Sequence, residues 1–333
     1  MTKPTFYINS SALSLKSTCD LRLRYTICDG YVPRGRDIGD FTDVHFGTCW
    51  HLYRQVLAAS KGDWSLAMVK ALSCWEAKEK QLIMRSKTKA YVTKDFLAQT
   101  ILNFQNRYMH IADNESWWDK VDGFSYFKFE NGIPFTEQKI QFPYYVGEDF
   151  DLILVGTLDA LGFIGDSFIL LDDKTTSAWD VEEFFEKYRS SNQMMLYTWM
   201  VRQLSAMYPE SQLGKIFSQY PNFGTAIYGI FHSAKEVNFK RSPIMFYNDR
   251  QLFAFEAALA TKLKDVKRIC QDYLDHPKLR EKNGFVNGMC KAYKNECPYV
   301  NACCADTEED EESMLYAQFE VKPYNPVLTH EDI

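Results

Sequence analysis

Two strand-forming runs, DLILVGTLDALGFI (Asp151–Ile164) and SFILLDDKT (Ser167–Thr175), are separated by only two residues, Gly165 and Asp166. A Gly-Asp pair between such runs predicts a two-residue hairpin turn of type II′, which requires glycine first. Counting outward from that turn sets Asp159 opposite Asp172. Directly opposed residues share a face of the sheet, with Cβ atoms about 5 Å apart. Lys174 lies two residues beyond Asp172 and therefore on the same face. The surrounding positions, Ile153, Val155, Leu161, Phe163, Phe168 and Leu170, are apolar. Opposed carboxylates in such surroundings must protonate, pair or bind a cation. A hard divalent ion such as Mg²⁺ or Mn²⁺ suits these oxygen donors. The lysine would then orient or deprotonate a water and offset phosphate charge. A plain Asp–Lys ion pair at a strand end satisfies the same residues.

Periodicity extends the pattern on both sides. Residues 9–28 predict a helix entered through Asn9, Ser10 or Ser11. The run GTCWHLYRQVLAA (Gly47–Ala59) predicts a second, with Trp50, Tyr53, Arg54 and Val56 at helical spacing. Residues 62–115 are rich in helix formers and read as a helical insertion. Pro134–Tyr145 reads as a strand ahead of the hairpin, and 180–207 as a helical stretch after it. Strands at Thr225–His232 and Val237–Tyr247 and a long helix at Arg250–Leu274 follow. The order predicts an α/β sandwich with a mixed sheet. Five regions are expected: N-terminal helices (1–60), a helical insertion (61–125), the core (126–275), a cysteine-bearing segment (276–305) and an acidic tail (306–333).

The chain has 333 residues, 46% hydrophobic and 25% charged, which excludes a disordered or collagen-like polypeptide. No apolar run approaches the ~20 residues of a membrane span. The longest candidate, 152–171, is broken by Asp159, Gly162, Gly165 and Asp166. The N-terminus lacks the apolar core of a secretory signal, so a cytoplasmic location and no membrane partner are expected. The net charge of −6 is local: DTEEDEES (Asp306–Ser313) holds six acids, and the rest of the chain is neutral. That tail reads as a solubilising segment. The opposite bias lies in Lys70, Lys78, Lys80, Arg85, Lys87, Lys89 and Lys94, set against Glu76 and Glu79. Such a run is a solvated helix face. Alternatively, interleaved with Trp75 and Tyr91, it is a surface for the phosphates and bases of a single strand. On the second reading Lys78, Lys80, Arg85, Lys87 and Lys89 contact substrate. Nine cysteines in a reducing compartment point to metal chemistry rather than disulfides.

The motifs GTLDAL (Gly156–Leu161) and ILLDDKTTS (Ile169–Ser177) resemble the PD-(D/E)xK nuclease superfamily, in its RecB-like branch. Three more follow that family's order. GTCWH (Gly47–His51) is similar to the upstream helix whose histidine completes the metal site. Glu137 resembles the glutamate of the first core strand. QMMLY (Gln193–Tyr197) resembles the Q-x-x-x-Y of the next helix, whose two residues reach the same side. The resemblance spans residues 9 to 304. It implies a restriction-endonuclease-like αβββαβ core with a mixed central sheet, and metal-dependent hydrolysis of DNA phosphodiesters. His51, Asp159, Asp172 and the backbone carbonyl of Asp173 would hold Mg²⁺ or Mn²⁺. Lys174 would position the water, and Gln193 and Tyr197 would hold the substrate backbone or order the site.

Cys19 near one end and Cys290, Cys297 and Cys303 near the other resemble the iron–sulfur subset of these nucleases, which includes CRISPR-associated adaptation exonucleases and phage exonucleases. The resemblance implies a [4Fe–4S] cluster stapling the N- and C-terminal regions. The same thiols suit Zn²⁺, and Cys304 is an alternative to Cys303. Cys28, Cys49, Cys74 and Cys270 read as unligated. The expected function is an exonuclease on single-stranded DNA ends in recombination, repair, phage replication or CRISPR adaptation. A protein partner from one of those processes, in a bacterial or phage-infected cell, fits that expectation. A structure-specific or nicking endonuclease and a non-catalytic, metal-bound DNA-binding module are the alternatives.

Overall fold

The computed structural model describes residues 3–17, 19–34, 42–82, 89–109, 118, 120–178, 180–277, 290 and 297–324. The chain opens with β1 (Thr5–Ile8), α1 (Ser10–Lys16), α2 (Asp20–Ile27) and β2 (Tyr31–Pro33). Next come α3 (Thr42–Ala59), α4 (Trp64–Lys78), a 3-10 turn at Glu79–Gln81 and α5 (Lys94–Met109). The strands β3 (Lys120–Val121), β4 (Phe124–Tyr126), β5 (Thr136–Val146), β6 (Asp151–Ile164) and β7 (Ser167–Thr176) follow. Then come α6 (Val181–Arg189), α7 (Asn192–Met207), α8 (Gln212–Gln219), β8 (Phe223–His232), β9 (Val237–Arg241) and β10 (Met245–Phe246). The last elements are α9 (Asp249–Asp275), α10 (Val300–Cys303), α11 (Glu308–Gln318) and β11 (Phe319–Val321). No helix among the described residues is long and apolar enough to cross a membrane.

The chain divides into two compact units, with boundaries inside β5 and β6. The first comprises the described residues of 1–38, 139–156 and 249–333. In it β1 pairs in parallel with Asp151–Leu154 of β6. Asn9 caps α1, its Oδ1 accepting from the Ala12 N–H at 2.9 Å. The stretch 9–28, expected as one helix, is two helices, α1 and α2. The acidic run is likewise part of the folded unit rather than a free tail. Thr307 caps α11, and four acids fill its first turn, where the exposed N–H groups favour negative charge. Glu311 and Leu315 are buried, the Tyr25 hydroxyl donates to Glu311, and β11 pairs with β2.

The second unit comprises 39–138 and 157–248. Its sheet runs in the order β10-β8-β7-β6-β4-β3, with β9 on β8. The β6–β7 pair is antiparallel and the β7–β8 pair parallel, the mixed sheet that the element order predicts. Every residue of β8 is buried, as suits a parallel strand covered on both faces. On this sheet α3, α4 and α5 build one aromatic core: the Trp50 ring centroid lies 5.3 Å from Phe104 and 5.8 Å from Phe239.

Two elements read as continuous are broken, each for a local reason. The stretch 180–207 splits at Ser190–Ser191, where the Ser191 side chain caps α7. Serine offers the backbone a side-chain partner in place of the helical one. The strand expected at 237–247 divides around Pro243, which has no N–H for the ladder, and Ser242 Oγ accepts from the Ile227 N–H at 2.9 Å instead.

Candidate active site

The hairpin carries the register that its turn demands. Ile164 pairs with Ser167, Phe163 with Phe168, Gly162 with Ile169, Leu161 with Leu170 and Ala160 with Leu171. Gly165 has φ +57° whereas Asp166 does not enter the left-handed region, which is the type II′ pattern. One step further out, at Asp159, a side chain takes up a backbone donor. The Asp173 N–H donates to Asp159 Oδ2 at 2.8 Å. That bond fixes Asp159 at the point where β6, β7 and α3 converge.

His51 projects from α3 towards this carboxylate. Its Nδ1 lies 3.0 Å from Glu137 Oε1 and 3.4 Å from Asp159 Oδ2, and donor atoms of the three residues all lie within 4.8 Å of one another. Burial pulls the imidazole pKa down, but the Asp159 and Glu137 carboxylates overcome it and push it to about 10. The imidazole is therefore held protonated by the two carboxylates beside it. A divalent cation bound by one imidazole and these carboxylates would satisfy the same demand in place of the proton, so the donor set fits Mg²⁺ or Mn²⁺. Glu137 reaches this point from a strained backbone, with φ +48° within β5. Left-handed geometry at a non-glycine residue costs about 1–3 kcal/mol and concentrates at functional sites.

Asp172 and Lys174 form the other half of the constellation. Asp172 is 1% exposed and ion-paired with Lys174 Nζ. Burial pushes the Asp172 carboxyl up to about 6 against the pull of Lys174, and burial does the same to Asp159 against the pull of His51. Burial alone would lower the Lys174 pKa, yet Asp172 and Asp159 hold it above the usual amine value. Gln193 and Tyr197 stand one turn apart on α7, as their spacing predicts. Gln193 Nε2 donates to Tyr197 OH at 3.2 Å and lies 3.5 Å from Asp172 Oδ1.

The Asp173 side chain faces the opposite way. Its Oδ2 accepts from Trp50 Nε1 at 3.1 Å and lies 3.1 Å from Arg54 Nε. Arg54 is itself buried, with its guanidinium carbon 5.0 Å from the Phe104 ring centroid and 5.4 Å from that of Tyr228. Trp50 and Arg54 flank His51 on α3, so this contact locks the helix that presents the histidine. The motif reading missed it, since it valued Asp173 for its carbonyl. Gly47 allows the same helix to approach β7, because a Cβ there would lie 3.2 Å from Thr175 Oγ1.

The family model of the PD-(D/E)XK nuclease superfamily matches residues 8–304. The chain belongs to that superfamily. Its members are phosphodiesterase nucleases that use Mg²⁺ or Mn²⁺, and the mixed α/β fold described above agrees with theirs. No curated protein gives a significant match to the chain.

In this nuclease the basic run departs from its expected form. Trp75 is 2% exposed and packs in the core with α3 and α5, and the Tyr91 hydroxyl lies 3.0 Å from His232 Nδ1. The Trp75 ring therefore belongs to the core and is not a platform for bases, whereas Tyr91 is half-buried. Lys89 Nζ is paired with Asp43 at 2.8 Å. Lys78 ends α4 and Lys80 is exposed in the following turn, whereas Arg85 and Lys87 lie outside the described residues.

The nuclease's four expected cluster cysteines all fall in the first unit. Cys19 stands at the N-cap position of α2 without a side-chain capping bond, and Cys19, Cys297 and Cys303 pack against the apolar group of Leu21, Tyr25, Tyr299, Ala302, Leu315 and Phe319. The Cys297 N–H donates to the Cys290 carbonyl at 2.8 Å. Burial, then the neighbouring Cys19 and Cys304 thiols, push the Cys290 thiol up. Cys303 is half-buried and Cys304 exposed. Among the described residues no three of these sulfurs lie within 4.8 Å of one another.

Proposed function

We propose that this nuclease hydrolyses DNA phosphodiesters as an exonuclease on single-stranded ends, with the RecB-like arrangement of the catalytic hairpin. The observation that carries the reading is the meeting of His51, Glu137 and Asp159 beside the buried Asp172–Lys174 pair. His51, Glu137, Asp159 and Asp172, with the Asp173 carbonyl, would hold Mg²⁺ or Mn²⁺. The ion, when bound, supplies Lewis acidity and a water acidified toward neutral pH.

The chain's own groups do the rest. Lys174 is held as an ammonium by two carboxylates, so it donates hydrogen bonds to the attacking water or to a phosphate oxygen. Charge gathering on the pentacoordinate phosphorus is met by a fixed positive group, which costs no reorganisation during reaction. Asp172 aims Lys174, and Gln193 with Tyr197 braces Asp172 from α7. The exposed Lys80, with Lys78, Arg85 and Lys87 of the same run, supplies charge for the strand's backbone, whereas Lys89 is taken up by Asp43.

In this reading Cys19, Cys290, Cys297 and Cys303 ligate a [4Fe–4S] cluster. The same four thiols would also suit Zn²⁺. The family resemblance of the cysteine order is what favours the cluster over zinc. Iron and acid-labile sulfide in the purified protein test this part separately.

The decisive experiment is cleavage of end-labelled single-stranded DNA with Mn²⁺ or Mg²⁺, comparing wild type with Lys174→Ala. Stepwise shortening in wild type, lost with EDTA and in the variant, is expected. Internal cuts in circular single-stranded DNA would instead indicate an endonuclease. DNA binding without cleavage in both proteins would leave a DNA-binding module.

A further inference from the structure

A second cluster of metal-ligating side chains lies away from the active site, in the interface between α3 and α4. His45 and Cys49 stand one turn apart on α3, and Cys74 comes from the last turns of α4. His45 Nε2, Cys49 Sγ and Cys74 Sγ all lie within 4.8 Å of one another. His45 is 3% exposed and Cys49 0%, whereas Cys74 is half-buried. The Cys49 Sγ–His45 Nε2 distance is 3.5 Å. A tetrahedral zinc with Zn–S of about 2.3 Å and Zn–N of about 2.05 Å places those two atoms about 3.6 Å apart. One edge of the coordination tetrahedron is thus already present on α3, and Cys74 brings the third donor from α4.

We infer that His45, Cys49 and Cys74 form a zinc site that clips α3 to α4. Two thiolates and one imidazole are the donors zinc prefers, and they do not suit the hard Mg²⁺ or Mn²⁺ of the catalytic centre. The half-buried side at Cys74 leaves the fourth position to a water. On binding, the two thiols release their protons to solvent. His45 Nε2, 3.1 Å from the Cys74 carbonyl, would exchange that contact for the metal and bind it as the Nδ1–H tautomer. Cys49 is two residues before His51 on the same helix, so the clip immobilises the element that presents the catalytic imidazole. The inference is independent of the nuclease reading.

Metal content of the full-length protein tests it. Wild type is expected to carry one equivalent of zinc that Cys74→Ser and His45→Gln lose, with unchanged circular dichroism and unchanged iron. Cysteine alkylation read by mass spectrometry gives a second measure that needs no variant. Cys49 and Cys74 should be protected in wild type as isolated and become reactive after treatment with a strong chelator. Zinc content unchanged in Cys74→Ser would overturn the site. Cys49 and Cys74 that are freely alkylated before chelation, or joined as a disulfide in protein prepared under reducing conditions, would overturn it as well.

Discussion

Replacing Asp173 by alanine removes the carboxylate that two α3 residues share, without touching a residue of the His51–Glu137–Asp159 group. Arg54 Nε lies 3.1 Å from that carboxylate, and the side chains of both partners are 6% exposed. Trp50 Nε1 donates to the same oxygen at 3.1 Å. Removing one partner of a buried ion pair leaves an uncompensated charge and costs about 3–5 kcal/mol. The lost hydrogen bond from Trp50 to a charged acceptor is part of that figure. Arg54 keeps its place over the Phe104 and Tyr228 rings, worth about 2 kcal/mol when desolvated, so the lower half of the range, about 3 kcal/mol, is expected. The assay is a double-mutant cycle in urea with Asp173→Ala, Arg54→Met and both together. Arg54→Met fills the same volume without charge, so the double variant should be more stable than Asp173→Ala alone. Activity should fall in Asp173→Ala and recover in part in the double variant, because the residue acts by positioning α3. A loss under 1 kcal/mol, or strict additivity of the two changes, would refute the argument.

Three further outcomes are expected. Glu137→Gln removes a charged donor while keeping the strand's backbone, and should raise the Mn²⁺ concentration needed for half-maximal cleavage by at least ~10-fold; an unchanged metal titration would remove Glu137 from the site. Burial, helped by Lys89, pulls the His232 pKa down from 6.5 to about 4, so the unfolded chain binds the proton first. Stability should therefore fall as the pH drops below 6.5 and level off below 4, with about 2–3 kcal/mol lost by pH 4.5. Comparing His232→Gln with wild type at pH 7 and 4.5 isolates that loss, and parallel pH curves would contradict it. Gly165→Ala places a Cβ on a left-handed residue at φ +57°, and should cost about 1 kcal/mol in a denaturant titration while leaving the metal titration unchanged.

The features legible in the sequence are those decided by short-range rules. A two-residue turn fixes the register of the strands it joins, so the pairing from Ile164–Ser167 to Ala160–Leu171 follows from Gly165-Asp166 alone. Helix spacing likewise put Gln193 and Tyr197 together. The rest depends on which surface a neighbouring element covers. Asp172 and Asp173 are adjacent and chemically identical, yet alternation sends one to Lys174 and the other to Arg54. Once Asp172 is assigned to the catalytic face, period-two geometry leaves Asp173 for whatever packs behind it, and Arg54 on the amphipathic α3 was a partner the sequence offered. Trp75 belongs to the core, and the sequence does not show it because aromatic residues among lysines look the same whether they stack on bases or fill a core. His45 and Cys49 carried a visible four-residue spacing, but Cys74 joins them only through the packing of α3 on α4.

The two halves of the active site place opposite demands on one strand pair. Burial pushes Asp159 and Asp172 toward protonation, whereas the proposed metal site needs them charged. The fold resolves this by bringing one cation to each, His51 from α3 to Asp159 and Lys174 from β7 to Asp172. These pairs differ in kind. A lysine ammonium is a permanent charge and fits a positioning role, whereas a histidine's positive charge is a proton that a metal ion can replace. On the proposed function both carboxylates would face the metal, but only His51 would give up its proton to it, whereas Lys174 would stay charged beside the scissile phosphate. This asymmetry predicts that His51→Ala and Lys174→Ala fail differently. The first should be rescued in part by raised Mn²⁺, since the carboxylates remain. The second should stay inactive at every metal concentration while still binding DNA. Equal rescue of both variants by Mn²⁺ would show that the two pairs share one function and would dissolve the distinction.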